Sequence, residues 1–110
     1  MSQHYYETTL RGETAIVMVG YDRPLQGFFL RVELGVQAED SKPLYSNLND
    51  RALRAFLGFP PSLGYFKNKL TELGLAVPDR VFQEVEDDGC SNVGNRHVWY
   101  DETGNILRCC

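Results

Sequence analysis

The sequence predicts an α+β domain: an antiparallel sheet, made of an N-terminal meander and a C-terminal hairpin, with about three short helices packed on it. Strand-period segments occupy the first third and the last stretch of the chain, helix-period segments fill the middle, and turn residues separate them. Segregated runs of this kind favour helices laid on an antiparallel sheet over the strand–helix alternation of a parallel fold. The 110 residues suit one domain, 1–110. A chain of this size buries roughly two-thirds of the surface its unfolded form exposes, enough for a core without cross-links.

Residues 5–10 read as a first strand that turns through Arg11, Gly12 and Glu13. The next strand, 14–21, has no polar face. Ile16 and Met18 lie on one side and Ala15, Val17, Val19 and Tyr21 on the other, because successive side chains in a strand point to opposite faces. Both faces therefore need cover. Residues 22–27 supply a turn in which Pro24 fixes φ and Gly27 offers a positive φ. The third strand alternates, with Phe28, Leu30, Val32 and Leu34 facing one way and Phe29, Arg31 and Glu33 the other. Polar residues 37–43 read as an exposed loop, and 44–46 as a short extended piece.

The period then changes. Asn49 or Asp50 caps a short helix carrying Leu53, Phe56 and Leu57, which Gly58 ends. Ser62, after two prolines, caps a second helix whose Leu63, Phe66, Leu70 and Leu73 form one apolar stripe. Gly74 occupies the place of a left-handed terminator, with Leu75 positioned to fold back on Leu70. A third helix begins at Pro78, buries Val81, Phe82 and Val85, and stops at Gly89. Strand character returns over 95–101, and a turn with Gly104 at a left-handed position leads into a closing strand at 106–108.

Composition excludes more than it assigns. A formal net charge of −4 argues against a nucleic-acid binder, whose affinity rests on neutralising phosphates. The first seven residues have neither the cationic start nor the apolar stretch of a secretory leader, and the longest apolar run, 15–19, is too short to cross a bilayer. A soluble cytoplasmic protein without a membrane partner is expected. Cys90, Cys109 and Cys110 are odd in number and two are adjacent, poor material for a disulfide framework. Together with His97 they are zinc-ligand types, but Cys90 and His97 stand seven apart and adjacent cysteines lack the spacing of a ligand pair, so neither metal nor other cofactor is expected. Asp87 and Asp88 disfavour the thiolate that a nucleophile at Cys90 would need. Residues 58–64 lack the Lys-Ser or Lys-Thr ending of a phosphate loop.

Two functional readings remain, with binding favoured over catalysis. In the first, the chain is a small binding or regulatory protein acting through protein–protein contacts, as a homodimer or with a protein partner. Its surfaces would be the apolar strand, at Val17 and Val19, and the acidic segment Glu84, Glu86, Asp87 and Asp88, against which solvated helix charge is the plainer account. The aromatics of the strand segments, Tyr5, Tyr6, Tyr21, Phe29, Trp99 and Tyr100, read as cross-strand packing or as an interface patch. In the second reading the chain binds a small ligand or is an enzyme. A pocket between sheet and helices would then gather His97, Trp99 and Asp101 from one strand face. The cysteine argument is directly testable: the protein made in a reducing compartment should show three titratable thiols and the same mass under native and denaturing conditions. A stoichiometric zinc ion or an intramolecular disulfide would overturn it.

Overall fold

The unbroken apolar strand lies inside a six-stranded sheet, as its two apolar faces require. In a computed structural model, β2 (Glu13–Asp22) is flanked by β1 (Ser2–Leu10) and β3 (Gly27–Leu34). The structure describes residues 2–10, 12–25, 27–34, 45–47, 50–56, 60, 62–91 and 95–109. A two-residue β4 (Tyr45–Ser46) forms one edge, β5 (Arg96–Tyr100) and β6 (Ile106–Cys109) form the other, and the order is β4-β3-β2-β1-β5-β6. Between β4 and β5 come a 3-10 helix (Arg51–Phe56) and two α-helices, α1 (Gly64–Leu73) and α2 (Asp79–Ser91).

The expectation of an antiparallel sheet needs correction. The meander and the closing hairpin are antiparallel, but β5 runs parallel to β1, from Ser2 beside Arg96 to Tyr6 beside Tyr100. The helical middle of the chain separates β4 from β5, and α2 crosses behind β1, β2 and β3. The chain thus re-enters the sheet beside β1 and in its direction, as a helical crossover permits and a hairpin does not.

The helices also differ in detail. The first expected helix is a 3-10 segment, begun by Asp50, whose Oδ1 accepts the Ala52 N–H at 3.0 Å. Leu53 is buried; Asn49, Leu57, Gly58 and the side chain of Phe56 lie outside the described residues, as do residues 37–43 and Leu44. In α1 the capping position is Leu63 rather than Ser62, and no side chain caps it. Its end is as the spacing predicts: Gly74 has φ 82°, its N–H reaches Thr71 O at 3.1 Å and the Leu75 N–H reaches Leu70 O at 2.9 Å, the paired bonds of a Schellman ending. Gly89 does not end α2. It lies inside the helix, where a Cβ would come within 2.8 Å of Phe28 Cζ, so its missing side chain permits close packing on β3. Gly27 likewise has no positive φ; among the described glycines only Gly12, Gly74 and Gly104 do.

The core lies between one sheet face and the helices. Tyr6, Ala15, Val17, Val19, Leu30, Val32, Val98 and Tyr100 meet Phe66, Leu70, Val81, Phe82 and Val85, with Leu53, Leu63 and Leu75 completing the cluster. Leu63, Phe66 and Leu70 are buried and Leu73 packs partly buried against them, so the α1 stripe is a core stripe. Beyond β4, Asn47 protects the outer edge of β3 by accepting the Leu30 N–H on Oδ1 at 3.3 Å. Leu70→Ala should cost roughly 2 to 5 kcal/mol, the range for truncating a leucine in a close-packed core. Chemical denaturation is the measurement, and an unchanged midpoint would place α1 outside the core.

Candidate functional site

Strand pairing sets the other face of the sheet as a grid. One row runs Trp99, Tyr5, Met18, Arg31 across β5, β1, β2 and β3; the row on one side of it is His97, Gln3, Gly20, Phe29, and the row on the other side is Glu7, Ile16, Glu33. No element of the described chain packs on this face. Its apolar members Tyr5, Ile16, Met18, Phe29 and Trp99 are only partly buried. Gly20 has no room for a side chain, because a Cβ there would run into the Ser2 carbonyl and come within 2.6 Å of Phe29 Cζ.

The face has two unlike halves. On β5 and β1 the rings of Tyr5 and Trp99 stack, with centroids 4.6 Å apart and planes 12° from parallel, and His97 lies 6.1 Å from Tyr5. The Tyr5 hydroxyl donates to Gln3 Oε1 at 3.0 Å; burial, with the charge of Glu33, pushes it above the ordinary tyrosine range. On β2 and β3 the surface is aliphatic and charged: Ile16 and Met18 adjoin Arg31, whose Nε is 2.8 Å from Glu33 Oε1. A shallow recess of about 280 Å³ lies over Tyr5, Ile16, Met18, Arg31 and Glu33.

Between sheet and helices lies a buried polar network. There His4 Nε2 donates to Asp88 Oδ2 at 2.6 Å, and the Tyr100 hydroxyl donates to His4 Nδ1 at 2.7 Å. Arg96 Nη1 donates to Asp88 Oδ1 at 2.8 Å and lies 3.4 Å from Glu84, which is also 3.7 Å from Arg80. His4 is fully buried and Asp88 nearly so. Burial lowers the His4 pKa, prevailing over the opposing pull of Asp88, so the imidazole is neutral with its proton on Nε2. Burial alone would raise Asp88, but hydrogen bonds from His4, Ser2 and Arg96 hold it below the usual carboxylate range. Burial pushes the Tyr100 hydroxyl up, which keeps it a donor.

These placements sort the residues singled out from the sequence. His97 and Trp99 share the open face with Tyr5, so they do not line an interior pocket. Asp101 is not with them: it follows the end of β5 and accepts the backbone N–H groups of Thr103 and Asn105, each at 2.9 Å, as the organiser of the β5–β6 turn. Val17 and Val19 are completely buried beneath the chain's own helices and offer no docking surface. Asp88 is a core residue and Glu84 is held by Arg80 and Arg96, leaving only Glu86 and Asp87 of the acidic segment exposed. Cys90 is free and exposed; Cys110 and the side chain of Cys109 lie outside the described residues. Tyr5, Met18 and Arg31 join His97 and Trp99 through the β1–β5, β1–β2 and β2–β3 registers, and the parallel β1–β5 register has no local sequence signal.

Comparison with protein-family models, curated proteins and solved structures gives no match to this chain. Among the described residues no helix is long and apolar enough to cross a membrane, and no three potential ligand side chains converge as a metal site.

Acid should destabilise the fold in two stages. A folded His4 pKa below the unfolded value of 6.5 means that the unfolded chain takes up a proton the folded chain refuses, so stability falls as pH drops below about 6.5. Asp88, lowered from 3.8, adds a second loss as pH falls through and below that value. Denaturation midpoints measured from pH 7 to pH 5 should fall for the natural chain and stay nearly level for His4→Gln. Equal slopes would remove His4 as the titrating group. Asp88→Ala should cost roughly 1 to 3 kcal/mol at neutral pH, as expected when the buried Nε2–H donor of His4 is left without its acceptor.

Proposed function

We propose that this protein is a binding protein that acts through protein–protein contacts on the open face of its sheet. The observation that carries the reading is the block of Tyr5, Ile16, Met18 and Trp99, on which no described element packs, at the centre of a face whose opposite side holds the described core. Tyr, Trp, Met and Arg are the residue types enriched where proteins meet, and a contiguous apolar area in the middle of a sheet marks an interaction surface. The recess over Tyr5 and Met18 is shallow and open, so it favours the relief of a protein surface over an enclosed small ligand. An enzyme using the space between sheet and helices is disfavoured by the satisfied, buried network of His4, Asp88 and Tyr100 that fills it.

A photo-reactive benzoylphenylalanine replacing Met18 tests the face in living cells, with the same residue at Glu86 on exposed α2 as the control. The proposal expects a discrete protein adduct from position 18 and none from position 86. Absence of any adduct from position 18, or equal labelling from both, would sink it.

A further inference from the structure

We propose that His4 is an acid-operated release for the terminal hairpin: when its imidazole takes up a proton, β5 and β6 part from β1 while α2 stays on it. The neutral ring holds the two elements by opposite means. Toward α2 it donates from Nε2 to Asp88 Oδ2 at 2.6 Å, and toward β5 it accepts on Nδ1 from the Tyr100 hydroxyl at 2.7 Å. A further proton can go only to Nδ1, the nitrogen that faces β5.

The two contacts respond in opposite senses. A proton on Nδ1 turns the acceptor of the Tyr100 hydroxyl into a donor, and Tyr100 is almost completely buried, so its own hydroxyl hydrogen becomes a buried donor without an acceptor. The same strand carries Arg96, whose guanidinium the imidazolium repels. Asp88 holds Arg96 at 2.8 Å from Oδ1, and a carboxylate that must answer a second cation holds the first less firmly. Toward α2 the signs reverse. The bond to Asp88 becomes a charge-assisted ion pair, and Glu84 also attracts the new charge. With a neutral imidazole, the carboxylates of Asp88 and Glu84 balance the guanidiniums of Arg96 and Arg80; the added proton leaves a positive charge in excess. The described groups on the other sides of the ring are uncharged: β2 sets Val19 beside His4 with Tyr21 diagonal to it, and Ser2 and Tyr6 flank it on β1.

The hairpin is the part of the fold that can leave alone. β6 is an edge of the sheet, and among the described strands β5 joins the rest only through β1, over Arg96–Tyr100. Its departure breaks one ladder and withdraws Val98 and Tyr100 from the core, whereas α2 supplies Val81, Phe82 and Val85 and packs across β1, β2 and β3. Burial of Val98 and Tyr100 keeps the hairpin closed while His4 is neutral. Protonation therefore favours a partial opening, in which one unit separates below the free energy of global unfolding. Release also divides the open face, because His97 and Trp99 leave with β5 and Tyr5 stays on β1. Acid-sensitive binding follows for the face proposed above and rests on that reading; the release itself does not.

Amide hydrogen exchange of the full chain, corrected for the intrinsic rate at each pH, tests the release. From pH 7 to pH 5 the protection of residues 96–100 should fall about tenfold or more, while that of β2, β3 and α2 falls far less. His4→Gln keeps a donor for Asp88 and an acceptor for Tyr100 but cannot take the proton, so protection of β5 should stay level. Arg96→Gln keeps an N–H donor for Asp88 without the charge and should make the fall smaller. His97→Gln removes the other histidine and should leave the fall as it is. Circular dichroism at pH 7 establishes that each variant is folded. Level protection of 96–100 in the natural chain, or an equal fall in β2, β3 and α2, would overturn the inference. So would a fall that persists in His4→Gln, is undiminished in Arg96→Gln or vanishes in His97→Gln. The binding-face reading fails separately, through absent adducts from position 18, with the exchange result unaffected.

Discussion

The hydrogen bonds of His4 join parts of the chain that are far apart in sequence, and the arrangement of the rest follows from them. Asp88 is 84 residues away on α2 and Tyr100 is 96 residues away on β5, yet both bond the same imidazole. A neutral imidazole with one donor and one acceptor nitrogen admits a single pattern here, because the carboxylate only accepts and the high-pKa phenol donates. That pattern draws α2 against β1 and brings β5 alongside it. Arg96 compensates the Asp88 charge from the same strand, so the buried anion is not left alone. The apolar core would admit many packings of similar volume; these polar contacts have few alternatives at comparable cost.

Once α2 is fixed behind β1 and β2, the two faces of the sheet have different fates. Val17 and Val19 point to the helices and are covered completely, whereas Ile16 and Met18 on the same strand point away and stay partly exposed. The apolar character of β2 therefore has two causes. One face builds this molecule's core, and the other carries the partly exposed Ile16 and Met18. Gly89 belongs to the first cause, since a side chain there would force α2 away from Phe28.

Much of this was legible in the sequence because it is encoded locally. The meander, the α1 stripe from Leu63 to Leu73, the left-handed Gly74 and the β5–β6 hairpin all depend on spacing and on turn chemistry within a few residues. The errors concern long range. The parallel β1–β5 pairing leaves no trace in either strand, because the same alternation serves both directions. Gly89 reads as a terminator until Phe28 is known to lie against it. The two-face requirement of β2 was visible, but not which face the chain's own helices would take, so Val17 and Val19 were the wrong side from which to expect a partner. Asp101 shares the alternation of His97 and Trp99 on paper, and the turn claims it through three acceptor contacts on one oxygen.

The candidate site was legible in its aromatic members and not in their company. Trp99 and His97 stand out in any strand, but Tyr5 comes beside them only through the parallel register that the sequence does not encode. The same register creates the asymmetry between an aromatic half and an aliphatic, charged half, by inserting β1 between β5 and β2. With β5 on the far side of β3 instead, Trp99 would lie near Arg31 and away from Tyr5. The strand order thus keeps Trp99 on β5 and Arg31 on β3 three strand spacings apart on one face, with Tyr5 and Met18 between them.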